Sequence, residues 1–287
     1  MQLGVVFPQT EIGEDPAGLV AYAQASQDMG YRHLLAYDHV VGADTSVRPN
    51  WSGPYTSEST FHEPFVLFGY LAGFARELEL VTGVIILPQR QTVLAAKQAA
   101  EVDLLTGGRL RLGVGIGWND VEYEALGMPF KSRGRRFEEQ IGLLRRLWTE
   151  PVITAKGEFD QITSAGIKPL PVQRPIPLWI GASAEPALKR AAMLGDGFFP
   201  QRPLEGGWGP TFEKMRTWRE EAGKSWEGFG IEGRVNCNEG SADDWHKAAQ
   251  EWRKLGATHC SVVTTKAGLE GPDAHIARLR EAWDALQ

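Results

Sequence analysis

Short apolar runs alternate with stretches of helical periodicity along the whole chain. Residues 2–7 (QLGVVF), 32–37 (RHLLAY), 79–87 (ELVTGVIIL), 109–116 (RLRLGVGI), 177–181 (PLWIG), 196–199 (DGFF), 230–236 and 258–264 (THCSVVT) read as strands, bounded by turn residues. Helical sequence follows each of them. The first helix is framed by Asp15 as N-cap, Pro16 at the first helical position and Gly30 as stop. Further helices are expected at 63–76, 91–105, 119–126, 133–148, 183–194, 210–222, 242–254 and 271–286. Gly107 and Gly108 end the 91–105 helix, and Ser183 is the expected N-cap of the helix that stops at Gly195. Two segments break the rhythm. A polar stretch over 39–60 carries Gly42, Pro49, Trp51, Gly53, Pro54 and Tyr55, and long loops of this kind are often functional. A proline-rich excursion over 150–176 precedes the fifth strand. Several strands are nearly continuous apolar runs, as expected of strands covered on both faces of a parallel sheet. Eight such βα units predict one domain, an α/β chain closed as a (β/α)8 TIM barrel over 1–287. The competing architecture, an open doubly wound sheet, calls for a glycine fingerprint at the first strand–helix turn, and FPQTEIGED lacks one.

Composition narrows the class further. Apolar residues make up 43% and charged residues 23%, ordinary values for a soluble globular protein. A net charge of −6 without a basic stripe argues against a nucleic-acid partner. No apolar run reaches the ~18 residues of a membrane span. The first fifteen residues carry no basic segment and no small-residue cleavage site, so no signal peptide is expected. Cys237 and Cys260 are the only cysteines and form no disulfide framework, which fits a reducing cytoplasm.

In a barrel of this kind the chemistry sits at the C-terminal ends of the strands. That rule selects Gln9 after the first strand, Asp38 and His39 after the second, and Leu87 to Arg90 after the third. It selects Gly117, Trp118 and Asn119 after the fourth, Gly181, Ala182 and Ser183 after the fifth, and Gln201 after the sixth. Asp38–His39 is the sharpest titratable pair: it serves acid–base chemistry, because His changes charge near neutral pH, or it is a hydrogen-bonded pair that opens the loop. Gly113, Gly115 and Gly117 let a flat ring or a phosphate approach the backbone, or they answer to tight packing inside the barrel. The 181–183 turn at a helix N-terminus could hold an anion in addition to being capped by Ser183. No HExxH or paired histidine motif points to a metal, and no G-x-S-x-G elbow points to a serine hydrolase. Lys266 is the only lysine placed for Schiff-base chemistry, and Lys97 with Glu101 reads as a structural i,i+4 pair of the 91–105 helix.

With these residues in view, the chain resembles the bacterial luciferase-like monooxygenase superfamily, and within it the coenzyme F420-dependent oxidoreductases. YDHV at 37–40, ELVTGVIILPQR at 79–90, LLTGGRLRLGVGIGWNDVEYEALG at 104–127, RGRRFEE at 133–139 and PVQRPIPLWIGASAEPALKRAAMLGDGFF at 171–199 carry the resemblance. It implies a TIM barrel that binds a flavin or 5-deazaflavin at the strand ends. It further implies a bulge in the third strand with a non-prolyl cis bond, matched here by Gly83–Val84. Asp38 matches the residue near the ring and His39 the one near the reacting carbon. Thr82, Gly83 and Val84 match the bulge, and Gly115, Gly117 and Asn119 the turn beside the cofactor. Gly181, Ala182, Ser183 and Gly195 match the phosphate end. Trp118 stands where related sugar-phosphate dehydrogenases carry an acid, so an aromatic mouth of Trp51 and Trp118, with Gln9, is expected to meet a small-molecule substrate. The implied reaction is hydride transfer with coenzyme F420, His39 giving or taking the proton and Asp38 orienting it while touching the cofactor. The alternatives are a two-component FMN monooxygenase fed with FMNH2 by a separate reductase, a non-catalytic flavin-binding barrel, and a metal-dependent hydrolase. Relatives of this kind imply a homodimer.

Overall fold

Eight parallel strands close on themselves, and helices fill the connections between them. The computed structural model describes residues 1–287. In chain order the strands are β1 (Gln2–Val6), β2 (His33–Ala36), β3 (Glu79–Thr82), β4 (Ile85–Ile86), β5 (Leu110–Gly115), β6 (Ile153–Lys156), β7 (Gln161–Ala165), β8 (Leu178–Ala182), β9 (Gly197–Pro200), β10 (Gly230–Asn236) and β11 (His259–Val263). The helices are α1 (Pro16–Met29), α2 (Pro64–Leu71), α3 (Thr92–Thr106), α4 (Asp120–Ala125), α5 (Arg133–Thr149), α6 (Glu185–Leu194), α7 (Trp208–Glu221), α8 (Ala242–Lys254) and α9 (Gly271–Leu286). The sheet runs β3-β2-β1-β11-β10-β9-β8-β5-β4, and a β3–β5 pairing closes it. β3 and β4 are therefore two halves of one barrel strand. The open doubly wound alternative is excluded by that closure.

The run at 79–87 is not the unbroken strand the sequence suggested. It is interrupted at Gly83–Val84, whose peptide bond is cis, and Leu87–Gln89 already form a short 3-10 turn. The 150–176 excursion contains the antiparallel β6–β7 hairpin, which stands outside the barrel sheet. Asp15 caps α1 by accepting from the Ala17 N–H at 3.0 Å, and Gly30 ends it in the left-handed region at φ 103°. Ser183, by contrast, does not cap α6. Ala184 occupies that position and offers no side-chain acceptor, because β8 continues to Ala182 and the helix begins only at Glu185.

Alternate residues of each strand point into the barrel. Val6, Leu35, Val81, Trp179, Phe199 and Val263 form an apolar cluster there, separate from the 59-residue core beneath the helices. Toward the strand N-termini the interior becomes polar. Glu232 accepts from His33 Nε2 at 2.8 Å, Ser261 Oγ at 2.6 Å and Arg111 at 2.6 Å. Arg111 also pairs with Glu79 and lies over the Trp179 ring at 4.2 Å. The His33 ring occupies the space a Cβ on Gly4 would need, so β1 requires glycine there. No helix is long and apolar enough to cross a membrane.

One buried histidine, His275, and one half-buried, His259, set an acid limit on this fold. Burial pushes His275 down to about 4, with Arg278 adding to it, and pushes His259 down to about 3, with Arg111 adding to it. Unfolding releases both to an ordinary value near 6.5, so the unfolded chain binds more protons between about pH 6.5 and 4. Their stabilisation is complete above that window and lost as pH falls through it. Urea denaturation at pH 7 and pH 4.5 should show a loss of about 2 kcal/mol from His275. A His275→Gln variant should be less sensitive to acid; equal sensitivity would contradict the assignment.

Candidate active site

A cavity of about 520 Å³ opens at the C-terminal ends of the strands. Asp38 and His39 line it, as do Gly83 and Val84 of the interrupted strand, Gly115 at the end of β5 and Gly117 just beyond it. Trp118, Gly181, Ala182 and Ser183 complete the group of expected residues that the fold brings together.

The others fall elsewhere. Thr82 is buried behind the bulge, its hydroxyl donating to the Gly113 carbonyl at 2.7 Å. Asn119 is buried and caps α4 by accepting from the Val121 N–H at 3.1 Å. Gln9 is buried and reaches the His62 carbonyl at 3.5 Å without lining the cavity. Trp51 borders an outer groove that shares Pro54 and Trp118 with the cavity, and its indole N–H donates to the Tyr55 carbonyl at 2.9 Å. Gly195 lies just before β9, at the opposite end of the barrel, where its carbonyl accepts from Arg219. It cannot belong to a phosphate end formed by 181–183.

Asp38 and His39 do not work as a pair. Adjacent residues leaving an extended strand point to opposite sides. Asp38 accepts from the Ile86 N–H at 3.0 Å and from Arg90 at 2.8 Å, and Arg90 reaches on to Glu63 at 2.9 Å. Burial pushes the Asp38 carboxyl above its ordinary value, while Arg90 opposes that shift. His39 is oriented instead by Glu122 of α4, whose Oε1 accepts from Nδ1 at 3.0 Å. The same oxygen accepts from the Val40 N–H at 3.1 Å, and Oε2 accepts from Gln89 at 3.1 Å. Glu122 is 1% exposed and its two oxygens are fully engaged. A carboxylate can only accept, so Nδ1 carries the hydrogen and Nε2 is left as the reactive nitrogen, without a protein partner. Tyr55 and Phe61 hold the imidazole at ring-centre distances of 4.7 Å each, with Trp118 at 6.1 Å.

The glycines answer both questions asked of them. The space beside Gly115 and Gly181 is taken by the Val84 methyls, 2.7 Å and 3.0 Å from where a Cβ would stand. Packing of the bulge against β5 and β8 therefore demands these glycines, and their backbone still forms one wall of the cavity. The opposite rim holds Arg133, whose guanidinium stacks on Phe130 at 3.7 Å. Its Nε is buried without a partner. The uncapped start of α6, at Ser183 and Ala184, lines the same cavity. Arg234 of β10 and Gln201 after β9 also face it.

Eight parallel strands closed into a barrel, with the cavity at their C-terminal ends, define the (β/α)8 class of fold. The chain belongs to the luciferase-like monooxygenase family, whose sequence model matches residues 1–287. An uncharacterized protein of Mycobacterium tuberculosis is 32% identical over 246 residues, 79% of this chain and 83% of that one. The FMNH2-dependent dimethylsulfone monooxygenase of Pseudomonas putida is 33% identical over 142 residues, 48% of this chain and 39% of that one. Among solved structures, an F420-dependent secondary alcohol dehydrogenase in complex with an F420–acetone adduct superposes with a TM-score of 0.80 at 15% identity, covering 100% of this chain and 99% of that one. Members of the family are oxidoreductases and monooxygenases.

Proposed function

We propose that the protein is an oxidoreductase that binds coenzyme F420 and exchanges a hydride with a small organic substrate, His39 handling the accompanying proton. The observation that carries this reading is the His39–Glu122 pair, with Nε2 free on the cavity wall. Two-electron chemistry on a carbonyl or alcohol needs such a group, because a proton must move with the hydride. The residues present fit a flat ring with a phosphate tail: the glycine-walled side accepts the ring, and the orphaned Arg133 Nε and the uncapped start of α6 suit an anion. When bound, the deazaflavin supplies the hydride carrier and does not activate oxygen. Gly83, Val84, Gly115 and Gly117 would back the ring, Asp38 would meet its edge, and Ser183 and Ala184 with Arg133 would hold the phosphate. The Tyr55 and Phe61 rings, 4.7 Å from the imidazole, would shield His39 from water.

A second reading is a monooxygenase using FMNH2 from a separate reductase, favoured by the 33% identity to the dimethylsulfone enzyme. Titration of the protein with F420 and with FMN under identical conditions tests the choice. F420 is expected to bind at least about tenfold more tightly, a difference of about 1.4 kcal/mol. Tighter binding of FMN, with oxygen consumed by the reduced complex, would replace the first reading by the second. A homodimer fits the exposed apolar side chains Val66 and Tyr70 of α2 and Leu94, Leu104 and Leu105 of α3, two neighbouring helices.

A further inference from the structure

We propose that Arg234 is the anchor for a substrate carboxylate, so that the substrate is a small organic acid with a flat apolar body. That the carboxylate is the substrate's rests on the oxidoreductase reading above. Arg234 lies two residues beyond Glu232 on β10, so both side chains point into the barrel. Glu232 lies on the polar side of the apolar cluster; Arg234 lies on the cavity side. The three barrel arginines differ sharply in their partners. Arg111 pairs with Glu232 and Glu79, and Arg90 pairs with Asp38 and Glu63. Arg234 has no carboxylate within ion-pair distance and its guanidinium makes no hydrogen bond. The buried acids of the barrel and its mouth are already used. Glu232 is saturated by three donors, Asp38 by the Ile86 N–H and Arg90, and Glu122 by three donors. Its one close companion is the Tyr37 ring, 5.8 Å from the guanidinium carbon.

A half-buried guanidinium over an apolar floor has lost part of its hydration without recovering it from the protein. An anionic ligand restores that interaction, and the planar fork of arginine matches a carboxylate with two parallel hydrogen bonds. The walls around the fork describe the rest of the ligand. Tyr37, Tyr55, Trp118 and Phe130 are aromatic, and the only other cation of the cavity without a carboxylate partner, Arg133, stands at the Phe130 rim, its Nη1 donating to the Phe130 carbonyl at 2.9 Å. Burial, with Tyr37 adding to it, pushes the Tyr55 phenol up to about 12 while Arg234 pulls it down, so Tyr55 stays a neutral donor within reach of the same charge. The two cations thus divide the cavity: Arg133 toward the phosphate, Arg234 toward the substrate carboxylate.

Benzoate and its neutral counterpart benzamide are suitable probes, titrated calorimetrically into the full-length protein. Benzoate is expected to bind at least about tenfold more tightly, in keeping with a charge-assisted bidentate contact. Arg234→Met should erase that preference, Arg234→Lys should keep part of it, and Arg133→Met should leave it intact. F420 and FMN affinities should change less than about twofold in Arg234→Met, since no cofactor contact is lost. The proposal is overturned if benzoate does not bind, if the two probes bind equally, or if the preference survives Arg234→Met. It is equally overturned if Arg234→Met weakens F420 or FMN as much as benzoate, which would assign the arginine to the cofactor. A benzoate preference that depends on Arg234, in a protein that binds neither cofactor, supports the anchor and removes the oxidoreductase reading.

Discussion

Replacing Glu122 with alanine is expected to lower turnover by about 10²–10³-fold, close to the loss caused by His39→Ala. The wild-type protein and an acceptor it reduces with F420H2 provide the assay. Glu122 acts through His39 and touches no ligand, so it is a positioning residue. It fixes the Nδ1–H form of the imidazole and keeps Nε2 facing the cavity. Alanine also strands three donors, the His39 Nδ1–H, the Val40 N–H and the Gln89 amide, at about 1–3 kcal/mol for each group left buried. Glu122→Gln separates position from charge. Its oxygen can still accept from His39, and the Gln89 amide can flip to face the new NH2 group. It should therefore fold like the wild type and lose roughly tenfold or more in rate, with a changed pH profile. Nitrogen-15 spectra should report a fixed Nδ1–H in the wild type and a tautomer mixture in the alanine variant. Wild-type rates in both Glu122 variants, with His39→Ala inactive, would reduce the carboxylate to a structural link. Full turnover by His39→Ala would remove the proton-handling role altogether.

The largest effect on stability is expected at Glu232. Alanine there leaves Arg111 buried with only the partly exposed Glu79 for a partner, and leaves His33 and Ser261 without their acceptor. Removing one partner of a buried ion pair costs about 3–5 kcal/mol, a large part of the roughly 5–15 kcal/mol that holds a domain folded. Glu232→Gln should lose less, and the Glu232→Leu, Arg111→Met double variant should lose less than the sum of its singles, because no charge is then left unpaired. Additive losses in urea denaturation would contradict the network. Burial works against ionisation of Glu232, but His33 and Arg111 hold its carboxyl well below the usual carboxylate range. The unfolded chain therefore takes up this proton first on acidification. The stabilisation is complete above about pH 4.5 and drains away as pH falls below it. Glu232→Gln should remove that part of the acid sensitivity, leaving the histidine part at higher pH.

The barrel was legible because its strands are apolar runs and its helices carry punctuation such as Asp15–Pro16, Gly30 and Gly107. The interruption at Gly83–Val84 followed only from the resemblance, since VTGVII has no break in its hydrophobicity. The β6–β7 hairpin was hidden by the prolines around it. Within the site, strand-end position found His39 and the glycine-rich turns, but not Glu122. That residue lies 83 positions from His39 in a six-residue helix, where NDVEYEA looks like a solvated acidic turn. The burial of Tyr123 beside it is the one local hint that this turn of helix faces inward. Adjacency alone points to Asp38 as the residue that orients His39, and strand geometry defeats that. Arg234 was missed for a reason specific to barrels. In GIEGRVN the apolar Ile231 and Val235 face the helices, so the charged alternates that would face water in an open sheet are the ones turned inward.

The loop over 39–60 binds two duties together. Tyr55 presses on the imidazole with its ring and anchors Trp51 with its carbonyl, while Trp51 lies 5.6 Å from Trp118 at the doorway. The Arg48 carbonyl accepts from the Trp51 N–H at 3.0 Å, whereas residues 44–47 take no part in these contacts. Retailoring the barrel to new compounds can therefore proceed by exchanging that short stretch alone, whereas grafts reaching Trp51 or Tyr55 would retune entry and chemistry in a single stroke.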